Sequence, residues 1–314
     1  MELRHLRCFL AVAEELHFAR AAEKLHIEQS PLSRAIKELE EDLGEQLFIR
    51  TSRSTRLTRA GKLLLEHVPR IFTALQQARD SVTAASNGFH GQLRIALSDG
   101  ATPSRLPSLL ALCRQEEPEV EIRLFEVSLS QQIKGLHDDL YDVGFAQSDE
   151  VGDSIVAEPV WNDPLWVAVP ARHPLLKHKR IPLDEVLRYP LVLRDAQVCE
   201  GHAQQVERVL RRADMEPLIA ERVASFDLMM ALVSAGFALG LAGASYIASS
   251  REPGVVARSL AGRSPMLTTY LLRRDAEILP TISHFIDRVR AIELPEGVRP
   301  ALPLVSDIEE EAKL

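Results

Sequence analysis

The chain has 314 residues, of which 46% are hydrophobic and 26% are charged, and its formal net charge is −8. This length allows two or three domains with cores of their own, and the composition is that of a globular protein. The net negative charge argues against a protein that coats nucleic acid along its whole length, so we expect any anion-binding surface to be local. Five basic residues and no acidic one lie within Gln46–Lys62, which is therefore the predicted anion-binding segment.

The N-terminal stretch and the cysteines argue against further classes of protein. The stretch MELRHLRCFLAVAEELHF carries charges throughout and lacks the basic and then apolar layout of a signal peptide, so we expect a cytoplasmic protein. The three cysteines, Cys8, Cys113 and Cys199, are too few and too scattered for a disulfide framework or a zinc cluster. No metal or cofactor site is predicted.

Two helices separated by a short polar break are predicted between Phe18 and Leu43. The first is short, and its alanines, Ala21 and Ala22, allow close approach of another helix. In the second, Ser30 is the expected N-cap, Pro31 is the expected first helical residue, and an apolar stripe recurs at steps of four and three residues. This arrangement is typical of a helix-turn-helix. The stripe consists of Leu32, Ile36, Leu39 and Leu43.

The face of the second helix opposite this stripe is polar and basic. Its side chains can donate hydrogen bonds to base edges and phosphates in a DNA major groove, and the acidic residues of the helix come at its far end. A solvated surface without a ligand is the alternative interpretation of this face taken alone. The candidate DNA-reading residues are Gln29, Ser30, Pro31, Ser33, Arg34 and Lys37.

A short β-hairpin is predicted directly after the helices, in EQLFIRTSRSTRLTRAG. An apolar run, Leu47–Ile49, precedes a polar tip that is expected to hold Arg50, Arg53 and Arg56. Arginines at such a tip would lie along the phosphate backbone of DNA. A basic surface loop is the alternative, but a helix-turn-helix followed at once by a basic hairpin favours DNA binding.

Residues 1–65 resemble the N-terminal winged helix-turn-helix of LysR-type transcriptional regulators. The resemblance rests on FLAVAEELHFARAAEKLHIEQSPLSRAIKELEEDLGEQLFIR, followed by RLTRAG. The chain differs from the family pattern at one place. The family often has Ser-Gln-Pro before the recognition helix, whereas this chain has Glu28-Gln29-Ser30-Pro31. The resemblance implies a winged helix-turn-helix over residues 1–60, a dimerising linker helix over 58–88 and a two-lobed effector domain over 91–294.

A long helix with a heptad seam is predicted to follow the hairpin and to end at Asn87-Gly88. The 3.5-residue period favours pairing with a second helix, and the alternative is an amphipathic helix packed on its own domain. Pro69 predicts a kink or a local change of register, because it removes a backbone hydrogen bond. The candidate dimerisation residues are Leu64, Val68, Ile71, Leu75, Ala78 and Val82.

Strand and helix patterns alternate through the remaining two-thirds of the chain, which predicts an α/β fold with a mostly parallel sheet. The uncharged run Leu228–Ser250, 23 residues long, is broken by glycines and is interpreted as a buried helix, a turn and a buried strand rather than a membrane span. The resemblance implies two lobes similar to those of periplasmic binding proteins, lobe I over about 91–160 and 266–294 and lobe II over about 161–265. An acidic tail, residues 295–314, is expected to be flexible or to dock on a neighbouring subunit.

A small effector is expected in the cleft between the lobes, where loops leave the carboxyl ends of strands. Hydroxyls and backbone N–H groups suit a carboxylate such as that of an organic acid, an arginine could pair with it, and an aromatic ring could pack on it. Each residue also has a structural alternative, such as capping a helix or, for Arg194, pairing with Asp195. The candidates are Ser98, Asp99, Thr102, Ser128, Gln147, Arg194 and Phe226.

The sequence therefore predicts a regulator that binds double-stranded DNA as a homodimer or homotetramer under the control of an effector, with RNA polymerase as a further candidate partner. A redox sensor would need two cysteines within reach of each other, and an enzyme would need a nucleophile–base pair or metal-ligand spacing. Neither pattern is found, so no catalytic residue is predicted. The alternative is a solute-binding type of metabolite-binding protein or enzyme with a helical N-terminal interaction module.

Overall fold

The computed structural model describes residues 1–51, 54–86, 89–98, 105–250 and 252–292. The chain divides into two compact units, residues 1–82 and 83–314. The predicted acidic tail, 295–314, and three candidate site residues, Arg53, Asp99 and Thr102, lie outside the described residues.

The first unit contains three helices, a two-stranded hairpin and most of a long fourth helix. Its elements are α1 (Leu3–Glu15), α2 (Phe18–Lys24), α3 (Gln29–Leu43), β1 (Phe48–Arg50), β2 (Thr55–Leu57) and α4 (Arg59–Ser86). The strands β1 and β2 pair antiparallel, with Phe48 opposite Leu57 and Arg50 opposite Thr55.

One apolar core holds these elements together. Leu32, Ile36 and Leu39 of α3 are completely buried there, together with Phe9 and Val12 of α1 and Ala21 of α2. The predicted apolar stripe is therefore the buried side of α3, except that Leu43 at the end of the helix is 40% exposed. Burying the side chains of Leu32, Ile36 and Leu39 stabilises the fold by roughly 1.5–3 kcal/mol each.

The predicted start of α3 is wrong by two residues, because the helix begins at Gln29 and not at Pro31. Glu28 occupies the N-cap with extended backbone (φ −77°, ψ 156°), and Gln29 and Ser30 are already helical. Pro31 is therefore the third helical residue, and it is tolerated because the first N–H groups of a helix have no intrahelical acceptor.

The long helix α4 continues through Pro69 without interruption. Its first turn is fixed by Thr58, whose Oγ1 accepts a hydrogen bond from the backbone N–H of Gly61 at 2.9 Å. A Cβ at Gly61 would lie 2.2 Å from the carbonyl oxygen of Leu47, so only glycine allows α4 to approach the start of the hairpin this closely.

The second unit alternates strands and helices. Its first part is β3 (Gly91–Leu97), α5 (Leu106–Glu116), β4 (Val120–Glu126), α6 (Leu129–His137), β5 (Val143–Ala146) and β6 (Ile155–Pro170). There follow a 3₁₀ turn (Pro174–Lys177), β7 (Arg180–Ile181), α7 (Leu183–Leu187), β8 (Leu191–Arg194), α8 (Glu200–Leu210) and β9 (Ile219–Val223). The last elements are α9 (Phe226–Ser234), β10 (Leu239–Gly243), α10 (Ala244–Ser249), β11 (Val255–Leu260), β12 (Met266–Arg274) and α11 (Pro280–Ala291).

The strands of this unit are ordered β4-β3-β5-β12-β6-β10-β8-β9, and β11 pairs with both β6 and β7. Pairs such as β3 with β4 and β8 with β9 are parallel, whereas β12 and β6 pair antiparallel with each other and with other neighbours. The sheet is therefore mixed: among the described residues five of its nine strand pairs are parallel, as predicted, and the four antiparallel pairs all involve β6 or β12.

These two long strands also join the lobes. The first part of β6, residues 155–164, pairs with β12, and residues 165–170 pair with β10 and β11. The helix α11 returns to lobe I, where the indole N–H of Trp161 donates to the carbonyl of Val289 at 3.0 Å. The uncharged run from Leu228 forms a helix, a turn at Gly236 (φ 79°) and the buried strand β10, as predicted. In the part of the chain that the structure describes, no helix is long and apolar enough to cross a membrane.

Candidate nucleic-acid interface and interlobe site

The outer face of α3 carries the predicted DNA-reading residues. Because the opposite stripe packs into the core, these side chains point away from the domain. Gln29, Ser30, Pro31, Arg34 and Lys37 are exposed, and Ser33 is half-buried. A helix that presents its N-terminal polar residues in this way has the geometry that recognition helices need to enter a major groove.

Acidic side chains at the other end of α3 are held by local partners. Glu38 lies 3.1 Å from Nε2 of the buried His5, and Glu41 lies 3.4 Å from Nζ of Lys37. The second pair is exposed and therefore weak, roughly 0–1 kcal/mol, so that Lys37 can exchange this partner for a phosphate.

The hairpin differs from the prediction in the location of its arginines. Arg50 is the last residue of β1 and Arg56 lies within β2, while Arg53 lies outside the described residues. The guanidinium of Arg50 packs 4.2 Å from the centre of the Phe18 ring and 3.7 Å from Oε2 of Glu40. Arg56 is exposed. The prediction that Arg50 belongs to the tip is thus wrong, because Arg50 pairs with Thr55 as part of β1 and its guanidinium packs on the ring of Phe18.

The candidate dimerisation residues of α4 fall into two groups. Val68 is completely buried in the core of its own domain, and Leu64 and Ile71 are half-buried against the same core. Val68 is therefore wrongly assigned to a dimer seam, because a side chain that is already enclosed has no surface to offer a partner. Farther along the helix, Leu75 is half-buried, Ala78 is exposed and Val82 is 72% exposed.

On the lobe I side of the predicted effector site, the described candidates all have partners inside the fold. The backbone N–H of the buried Ser98 donates to the carbonyl of Phe145 at 3.0 Å. Ser128 caps α6, since its Oγ accepts from the backbone N–H of Gln131 and that glutamine side chain accepts from the backbone N–H of Ser128. Oε1 of Gln147 lies 2.8 Å from Nδ1 of His202.

The helix α8 of lobe II forms hydrogen bonds with backbone groups of lobe I. The side-chain amide of Gln205 donates to the carbonyl oxygens of Gln147 at 2.6 Å and Thr268 at 2.7 Å, and it accepts from the backbone N–H of Thr268 at 2.8 Å. His202, one turn earlier, is buried, and desolvation lowers its pKa from 6.5 to about 3. These contacts connect the two lobes through neutral hydrogen-bonding groups.

On the lobe II side, Arg194 stands at the carboxyl end of β8 and is only 8% exposed. Its Nη2 donates to the carbonyl of Ala224 at 3.0 Å and lies against Sγ of Cys199, while its Nε is buried without a partner among the described residues. No carboxylate of a described residue lies within ion-pair distance of it, so the alternative pairing with Asp195 is not observed.

Phe226 begins α9, and its ring packs 4.2 Å from that of Tyr246. Burial raises the pKa of Tyr246, and the charge of Arg194 opposes this shift. The sequence prediction missed Tyr246, although it follows the carboxyl end of β10 and the rule used for the other strands would have included it. His202 and Gln205 carried no such signal, because nothing in a helix pattern tells which residues face another lobe.

A groove of ≈ 370 Å³ opens elsewhere on lobe II, between the end of α8 and β9. It is lined by residues such as Leu210, Met215 and Ile219, and none of the predicted effector residues contributes to it. This groove is therefore distinct from the candidate effector site, which consists of strand ends and the buried Arg194. Among the described residues, no group of three or more His, Cys, Asp or Glu side chains could hold a metal ion.

Comparison with known families identifies both units. The model of bacterial regulatory helix-turn-helix proteins of the LysR family matches residues 3–62, and the model of the LysR substrate binding domain matches residues 86–292. The chain belongs to the LysR family of transcriptional regulators. It is a DNA-binding regulator with an effector-binding domain, and its partners are DNA and further copies of itself.

Individual LysR-type regulators are similar over most of their length. The chain is 35% identical over 247 residues to the uncharacterized regulator YnfL of Escherichia coli K12, covering 78% of this chain and 83% of YnfL. It is 30% identical over 287 residues to ClcR of Pseudomonas putida, covering 91% of this chain and 97% of ClcR. The crystal structure of full-length CbnR complexed with its target DNA matches with a TM-score of 0.67 at 28% identity, over 93% of this chain and 99% of that one.

Proposed function

We propose that this LysR-type regulator reads its operator with Gln29, Ser30, Pro31, Ser33, Arg34 and Lys37 and contacts phosphates with Arg50, Arg53 and Arg56. The single observation that supports this most is the division of α3 into a completely buried apolar stripe and an exposed polar face at its N-terminal end. Side-chain donors on that face suit base edges, and the arginines of the wing, among them the exposed Arg56, suit the sugar–phosphate backbone.

Dimerisation through the second half of α4 would complete this reading surface. One recognition helix contacts only a few base pairs, and a two-fold dimer reads two half-sites at a fixed spacing. Leu75, Ala78 and Val82 remain available for such a seam because they are not enclosed by the DNA-binding core. A dimer of such dimers would extend contact to further half-sites.

We infer further that an organic acid binds between the lobes near Ser98, Ser128, Gln147, Arg194 and Phe226, together with Asp99 and Thr102. The buried guanidinium of Arg194 supports this, because it has no carboxylate partner among the described residues, and a carboxylate of the effector would compensate a buried cation. The effector would act by binding two quaternary arrangements with different affinity.

Three further statements about location, partners and activity belong to this proposal. The chain acts in the cytoplasm, where its DNA partner is found; RNA polymerase is a candidate partner; and the chain is not an enzyme. The relatives support the last of these, since they are named as transcriptional regulators.

Two measurements on the full-length chain test the proposal. A random duplex pool should yield a specific operator that the protein retains, and a thermal-shift screen of aromatic and aliphatic acids should find a ligand that raises the melting temperature. Arg194→Gln should abolish that shift while operator retention without effector is kept. A chain that ignores every duplex but binds a metabolite tightly would instead favour the alternative, a solute-binding type of protein.

A further inference from the structure

The residue that precedes the recognition helix is an acid in an unusual position. Glu28 is the N-cap of α3, its side chain makes no capping hydrogen bond, and it is exposed. It is directly followed by Gln29, the first helical residue. In a helix-turn-helix this end of the recognition helix enters the major groove, so Glu28 lies where base edges are read.

The carboxylate of Glu28 differs from those of the acids within α3 in having no partner among the described residues. Glu38 lies beside His5, Glu41 beside Lys37, and Asp42 beside the N-terminal amino group. Glu40 accepts from two backbone N–H groups. Among the described residues, Glu28 alone of these five forms no hydrogen bond or ion pair through its side chain.

An unpartnered carboxylate near DNA faces two opposing effects. The positive end of the helix dipole favours a negative charge at this position in the free protein. In a complex with DNA, the surrounding phosphates repel it, and this repulsion weakens binding to every sequence unless a hydrogen-bond donor on a base approaches the carboxylate.

The major groove offers two such donors, N4–H₂ of cytosine and N6–H₂ of adenine. The adenine amino group lies beside the acceptor N7, which repels a carboxylate, whereas the amino group is the only polar group that cytosine itself presents in the groove. A carboxylate therefore selects cytosine.

We propose that Glu28 is a specificity-determining residue that accepts a hydrogen bond from N4–H₂ of a cytosine in each half-site of the operator. This inference rests on the proposed mode of DNA reading by α3. In a two-fold dimer, the cytosine preference appears at two positions related by the dyad of the operator.

The two substitutions Glu28→Gln and Glu28→Ala separate this role from simple phosphate repulsion. Glutamine pairs with N6 and N7 of adenine, so E28Q changes the preferred base at that position from cytosine to adenine. Alanine has no acceptor, so E28A loses the preference there and keeps it elsewhere. The matched control is Glu45→Gln, which removes one exposed charge beyond the other end of α3 and leaves the base profile unchanged.

The experiment is selection of bound duplexes from a random pool by the full-length wild type and by each variant, followed by binding titrations on single-base variants of the selected operator. For the wild type, replacing the cytosine weakens binding roughly five- to hundred-fold, and for E28A the same replacement has no effect. Melting temperatures of the free proteins show that the variants are folded.

Two outcomes overturn the inference. In the first, E28A and E28Q select the same base profile as the wild type. In the second, they bind all sequences more tightly by one common factor, which is the result expected of phosphate repulsion alone. If the folded wild type selects no sequence at all, the proposed DNA reading fails instead, so the two failures are distinguishable.

Discussion

Oε1 of Glu40, on the recognition helix, lies 2.8 Å from the backbone nitrogen of Leu47, at the start of the wing. The same oxygen accepts from the backbone N–H of Phe48 at 3.2 Å. One carboxylate thus fixes the wing to the recognition helix, so that both are positioned together for DNA.

Replacing this carboxylate should loosen the wing. Glu40→Ala leaves two backbone N–H groups without their acceptor, and we expect it to destabilise the DNA-binding domain by roughly 1–3 kcal/mol. Hydrogen exchange at the amides of Leu47 and Phe48 should accelerate correspondingly. Glu41→Ala is the control, because this neighbour is exposed and its loss should change stability by no more than about 0.5 kcal/mol. Equal protection of both amides in the two variants would contradict the role of Glu40.

The recognition helix and the wing should respond differently to loss of an arginine. Arg34→Ala should weaken operator binding and relax the base preference at one position, because Arg34 is exposed on the reading face. Arg56→Ala and Arg53→Ala should weaken binding to all sequences alike and reduce the salt-dependence slope by about one each. Lys24→Ala, an exposed lysine ion-paired with Glu14, is the control. If Arg34→Ala keeps the wild-type operator retention and base profile, the assignment of this face fails.

Two valines of α4 should separate folding from dimerisation. Val82→Glu places a charge on a side chain that is 72% exposed in the single chain, so it should dissociate the dimer and leave the domain folded. Val68→Ala removes packing from a completely buried site, and it should lower the stability of the domain by roughly 2–3 kcal/mol while the dimer mass is kept. Sedimentation and melting temperature measure the two effects. A Val82→Glu protein that sediments as the wild type would show that the seam lies elsewhere.

The buried His202 should make the effector domain sensitive to acid. Its pKa falls from 6.5 to about 3 on burial, so between these values the unfolded chain binds a proton that the native state does not. Stability is therefore lost as the pH falls below 6.5, and between pH 7 and pH 5 this group alone accounts for about 2 kcal/mol. His202→Asn keeps a hydrogen-bonding group toward Gln147 but does not titrate. Urea unfolding at both pH values should thus show a smaller decrease in the free energy of unfolding for this variant than for the wild type. An equal decrease would contradict the burial of a neutral imidazole.

The sequence identified local patterns and the family correctly. The apolar stripe of α3 and the resemblance over residues 1–65 were enough to place a helix-turn-helix, and the uncharged run from Leu228 was correctly read as a helix, a turn and a strand. Periodicity gives these results because it depends on residues within one or two turns of one another. The predicted positions of Ser30, Arg50 and Val68 were wrong. The residue that caps a helix, the residue at which a strand ends and the face of a helix that is buried all depend on contacts with other parts of the fold.

What the sequence alone determined is which segments become helices or strands and which of their faces are apolar, since side-chain chemistry and spacing fix both. Only the tertiary structure decided that Val68 packs inward while Val82 stays exposed, that Arg194 is buried beside Cys199, and that His202 meets Gln147 across the lobes. The physical reason is that a given face of a helix or strand can be buried against several different surfaces with a similar gain in stability. The choice among them depends on packing between segments that are far apart along the chain.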